Sequence, residues 1–158
     1  MDIQDILQAV VDHLENCLDS SSNLTYRGLM PGIRTVLLGD SSPTDTQQPC
    51  VTVDWAGEDM VQTGFGPGVL VSEHELEVNL YIGSLQKGNV PKQLLWGLYT
   101  SSSGSTGLRK SILAFPPGSG FALTPLTARR LRPEERPEFR FTAGLQMRIS
   151  VRKLGPRS

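Results

Sequence analysis

Two stretches of this chain alternate apolar and polar residues for longer than a helical period allows, and they limit the fold more than any other feature. "FRFTAGLQMRISVRK" (139–153) places Phe139, Phe141, Ala143, Leu145, Met147, Ile149 and Val151 on one side. Arg140, Thr142, Gln146, Arg148, Ser150 and Arg152 fall on the other. "VLVSEHELEVNLYI" (69–82) does the same from Leu76 onward, with Leu76, Val78, Leu80 and Ile82 apolar and Glu73, Glu75, Glu77, Asn79 and Tyr81 opposite. Strict alternation is the mark of a strand with one face on a core. Two such strands in one chain require a sheet, and that sheet needs a layer to cover its apolar face.

The covering layer is legible too. "DIQDILQAVVDHLENCL" (2–18) repeats Ile3, Ile6, Leu7, Val10, Leu14, Cys17 and Leu18 at helical spacing, with Asp2 as cap, Asp5 in the positive first turn and His13 on its polar flank. "NVPKQLLWGLY" (89–99) predicts a second helix with Asn89 as cap, Pro91 in the first turn and Val90, Leu94, Leu95 and Leu98 as its stripe. "LRKSIL" (108–113) is a further helical turn. "CVTVDWA" (50–56) alternates as a half-buried strand, and "IRTVLL" (33–38) reads as a short one. "FALTPLTARRL" (121–131) is an imperfect strand whose Pro125 restricts it to an edge or a bulge. "RPEERPE" (132–138) is the turn into the last strand. The polar 39–49 and the glycine-rich 57–68 are predicted as long loops, of the kind that carry function. The expected fold class is α+β: a mostly antiparallel sheet packed by an N-terminal and a central helix, in one domain over residues 1–158.

Charge narrows the function classes. The net charge is −1, so bulk charge indicates neither nucleic acid nor membrane as partner. Residues 1–108 hold 4 basic and 13 acidic side chains, residues 109–158 hold 11 and 3, a split of −9 and +8. Either the two halves neutralise each other within the sheet, or copies pack head to tail, acid on base. No apolar run approaches the ~20 residues of a membrane span, and the first residues do not form a signal peptide.

The row Glu73, Glu75, Glu77 is the most suggestive site for chemistry. Neighbours two apart on a strand lie roughly 6.5 Å apart, near the spacing of glycosidase carboxylates. Such pairs, however, face each other across a cleft. Arginines on the last strand, Arg140, Arg148 and Arg152, offer these glutamates cross-strand partners instead. His74 is expected on the inward side as a hydrogen-bonded semi-core residue. Cys17 and Cys50 read as buried reduced thiols. No H-x-x-x-H, C-x-x-C, P-loop or nucleophile elbow occurs, so no catalytic residue, metal or cofactor is assigned. "ARRLRPEERPEFR" (128–140) is arginine-rich but diluted by Glu134, Glu135 and Glu138, which favours a solvated hairpin or protein contact over nucleic acid. Candidate interface residues are Glu58, Asp59, Phe65, Glu73, Glu75, Glu77, Arg129, Arg130, Arg132, Arg136 and Arg140.

An amphipathic helix, a polar loop, "PCVTVDW", a long connection, "EHELEVNLYI", a Leu-rich helix and a closing hairpin ending in "EFRFTAGLQMRISVRK" follow one another here. In that order the chain resembles the tail terminator proteins of long-tailed bacteriophages, and more loosely their neck and tail-completion relatives. The Gly/Ser-rich "TSSSGSTG" (100–107) departs from the pattern. The resemblance implies a structural virion protein, not an enzyme, that forms a hexameric ring. Such a ring caps the tail tube, ends tail elongation and provides the head–tail joining surface. It implies as partners other copies of the chain, the tail tube protein, a neck or head-completion protein, and sheath-related proteins where the tail is contractile. DNA passes through the ring without sequence-specific binding. The place of action is the tail–neck region of the virion, after assembly in the host cytoplasm. The alternatives are a head-completion or neck adaptor and, from another class, a small hydrolase using Glu73, Glu75 and Glu77.

Overall fold

The computed structural model describes residues 3–39, 47–62, 70–83, 91–116 and 120–153. Its centre is a five-stranded mixed sheet in the order β1-β2-β3-β5-β4. The strands are β1 (Thr35–Leu38), β2 (Cys50–Gln62), β3 (Leu70–Ile82), β4 (Phe121–Leu131) and β5 (Ala143–Lys153). Among the described residues only the β1–β2 ladder is parallel, and the other three are antiparallel. Helices α1 (Ile3–Asn16), α2 (Pro91–Tyr99) and α3 (Leu108–Leu113) lie on one face, α1 against β1 and β2, α2 against β3 and β5, α3 against β4. The expected α+β architecture is the one found.

The periodicities explain the layers. Ile6, Leu7, Val10, Val11 and Leu14 of α1 meet Val51, Val53, Leu76, Val78, Leu80, Met147 and Ile149 of the sheet in one buried cluster. Burying side chains of this size stabilises the fold by ~1.5–3 kcal/mol each relative to exposure. Pro125 sits on an edge strand, and the ladder slips between Pro125 and Thr127, so both effects expected of the proline occur together.

Five expectations change. The strand opened by "CVTVDWA" runs on to Gln62, so residues 57–62 are strand and not loop. A bulge between Trp55 and Gly57 absorbs the break that the glycine introduces. His13 is buried rather than polar-flank: a nitrogen of its ring lies 2.7 Å from the Ser111 carbonyl oxygen, with Tyr26 and Phe115 edge-on at 5.0 and 5.3 Å.

The last strand begins at Ala143, and Phe139 and Phe141 do not join the main core. They form a second small cluster with Cys50, Tyr81 and Leu131 on the opposite face of the sheet. The β4–β5 connection, with a 3-10 turn at Pro133–Glu135, therefore folds back over that face instead of standing in solvent as a simple turn. Gly144 makes this possible: a Cβ there would stand 3.0 Å from the Phe141 ring and 3.2 Å from two carbonyl oxygens. Consequently Tyr81 is fully buried on the side of β3 that its polar neighbours mark as solvated. Asp2, Asn89, Phe65 and most of the 39–49 loop lie outside the described residues.

Candidate functional site: a charge ladder, an aromatic knob and a cleft

The glutamates of β3 are all held by arginines. β3 and β5 run antiparallel with Glu75 opposite Ser150 and Glu77 opposite Arg148, which brings both acidic and basic side chains onto the face away from the helices. Arg152 Nη2 lies 3.3 Å from Glu73 Oε1, and Arg148 Nη1 lies 3.3 Å from Glu75 Oε1. Glu77 is the most enclosed, its side chain only 12% exposed. It accepts hydrogen bonds from Arg136 Nη2 and, at 2.8 Å, from Asn79 Nδ2, with Arg148 Nη2 at 3.7 Å.

Arg148 and Arg152 thus take the partners expected from sequence. Arg140 does not; its carbonyl accepts from Gln48 Nε2 at 2.6 Å, and its place in the ladder is taken by Arg136 from the folded-back connection. That substitution was hidden in the sequence because it depends on the course of residues 132–142.

The other interface candidates scatter. Arg129 pairs with Glu135 at 2.9 Å and reaches Gln146 Oε1. Arg130 borders a cleft beside α2. Arg132 and Arg140 are exposed on the connection. Asp59 is described only by its backbone, in register with Glu73, and Phe65 lies outside the described residues. The described residues among these candidates are spread over β2, β3, β4 and the β4–β5 connection.

Two aromatic features were missed. Trp55 lies on the helix side of β2 in line with Val51 and Val53, as the alternation requires, yet is 47% exposed. β1 pairs with β2 only as far as Val53. Its indole Nε1 donates to His74 Nδ1 at 3.3 Å, and His74 Nε2 stands 3.5 Å from Glu58 Oε2. His74 is therefore half-buried and bonded, as expected, but its partners are an exposed tryptophan and a carboxylate. At the far side of the sheet, Leu95, Trp96, Tyr99, Ala128, Arg129, Arg130 and Leu145 line a cleft of about 470 Å³. Trp96 is 63% exposed there and tilts against Tyr99, ring centres 5.9 Å apart. The signal in sequence was Trp96 falling off the Leu94–Leu95–Leu98 stripe.

Both cysteines are free and buried; burial raises the Cys17 thiol above its ordinary range and pushes Cys50 up to about 12. Burial likewise pushes Tyr81 up to about 12, against the nearby Arg136 charge. Among the described residues no three His, Cys, Asp or Glu side chains come together as a metal would need, and no helix is long and apolar enough to cross a membrane. No protein-family model matches the chain, and no curated protein matches its sequence.

Proposed function

We propose that this chain is a structural, non-enzymatic subunit of a ring at the end of a phage tail, a tail terminator. In this reading copies associate head to tail into a closed ring, hexameric by the resemblance, that stops tube growth and then receives the head. The observation that carries it is the distribution of charge across the sheet. On the β1–β2 side stand Asp5, Asp12 and Glu15 of α1 with Asp54 and Glu58 of β2. On the β5–β4 side stand Arg129 and Arg130 of β4 and Arg132 just after it, while Arg109 and Lys110 of α3 lie nearer α1, whose His13 meets Ser111. Arg34 on the first side and Glu134, Glu135 and Glu138 on the second moderate the contrast without reversing it. Opposite signs on opposite edges suit a heterologous contact, which repeats and closes when the rotation permits.

The neck-adaptor alternative shares this geometry and differs in the neighbour bound. The hydrolase alternative loses its motive, since each glutamate of the row has an arginine partner. Light scattering and negative-stain imaging of the purified protein test the proposal. Rings, or ring-forming association that weakens with salt, are expected; a strictly monomeric protein at high concentration overturns it. Binding to tail tubes rather than to a portal-side ring separates terminator from adaptor.

A further inference from the structure

We propose that the copy-to-copy contact is made by Trp55 of one subunit entering the Trp96–Tyr99 cleft of the next. This rests on the ring reading and specifies its interface. Within one chain β3 and β5 lie between the strand that carries Trp55 and the β4 wall of the cleft, strands being spaced by roughly 4.8 Å. They sit towards opposite edges of the same helix-covered face, as a head-to-tail contact requires.

The knob is built for binding. A tryptophan half out of the surface, with its indole N–H already satisfied by His74 and His74 backed by Glu58, loses little freedom on docking. The cleft has matching chemistry. Leu95, Tyr99, Ala128 and Leu145 supply apolar walls, Trp96 an open aromatic face, and about 470 Å³ falls in the size range of ligand pockets, ~300–1,000 Å³. Charge adds to the match: Glu58 stands beside the knob through His74, Arg130 borders the cleft, and among the described residues no carboxylate reaches Arg130. Buried Trp, Tyr and Arg side chains dominate interface energetics, so an aromatic pair rimmed by opposite charges is the kind of centre on which association depends.

The test uses the full chain and sedimentation velocity, with circular dichroism confirming the fold of each variant. Trp55→Ala and Trp96→Ala each weaken self-association roughly tenfold or more. Glu58→Arg and Arg130→Glu each weaken it, and the protein carrying both recovers most of the loss. Undiminished assembly in the two tryptophan variants overturns the inference and leaves the ring reading standing, whatever else the cleft then binds. Loss in the single charge variants without recovery in the double overturns the pairing of these two patches. A wild-type protein that stays monomeric overturns both.

Discussion

The three rungs of the Glu–Arg ladder share one chemistry and differ in burial, so their contributions to stability should rise along β3. Replacing each arginine by methionine keeps most of the aliphatic stem and removes the charge. At the outer rung Arg152 is 71% exposed and Glu73 30%, so Arg152→Met should cost about 0.3 kcal/mol, within the range of surface pairs. At the inner rung Glu77 is 12% exposed and Arg136 30%. Breaking a fully buried pair costs ~3–5 kcal/mol, but here Glu77 keeps Asn79 and Arg148, so Arg136→Met should cost about 2 kcal/mol. Arg148, shared between Glu75 and Glu77, should fall between. Urea unfolding reads these as midpoint shifts at constant slope; with a slope of ~1–3 kcal/mol/M, the inner rung moves the midpoint by about 1 M and the outer one barely. In 1 M salt, where the screening length is ~3 Å, the outer effect should vanish and the inner one persist. Equal losses at all three rungs, or an Arg152→Met as costly as Arg136→Met, would refute the idea that enclosure by the folded-back connection sets the strength of this ladder.

Two further outcomes follow from the packing. Gly107 has φ +118°, and a Cβ there would stand 2.4 Å from the Tyr99 carbonyl oxygen, so Gly107→Ala should lower the melting temperature by the equivalent of about 2–3 kcal/mol. Burial lowers the His13 pKa, against the Ser111 carbonyl that raises it. A histidine kept neutral in the fold binds more protons when unfolded, so its effect is absent above the unfolded pKa near 6.5. Stability is then lost as pH falls from there towards the folded value, at about 1.4 kcal/mol per unit of depression. Thermal unfolding from pH 7 to pH 5 should show this loss, and His13→Gln should flatten it; an unchanged slope in the variant would assign the pH dependence elsewhere.

The parts of the fold legible in sequence were those governed by a local period. The α1 stripe, the alternation of β3 from Leu76 and of β5 from Ala143, and the edge position forced by Pro125 each depend on neighbours a few residues away. What escaped was decided by distant chain. Phe139 and Phe141 keep the alternating phase of β5, so sequence assigns them to the same core. Only the path of residues 132–142 over the outer face places them with Tyr81. His13 looks like a polar-flank residue until Ser111, ninety-eight positions away, supplies its partner. Trp55 has the phase of a core residue and is exposed because β1 stops at Leu38 and pairs no further than Val53.

The same distinction bears on the charge split. A −9/+8 division admits an internal answer and an external one. The ladder takes three charges of each sign into internal pairs, Glu73, Glu75 and Glu77 with Arg152, Arg148 and Arg136, and Arg129 turns to Glu135 within the basic half. Those pairs lie on the middle strands and on the face away from the helices. Asp54 and Glu58 of β2 and Arg130 and Arg132 at the end of β4 are kept apart by β3 and β5. Internal pairing gives the glutamate row partners within its own chain and leaves Glu58 and Arg130, on strands either side of β3 and β5, outside the ladder. If association depends on charge, it should respond to substitutions at Glu58 and Arg130 and be indifferent to neutral replacement of Glu73, whose partner is already in its own chain.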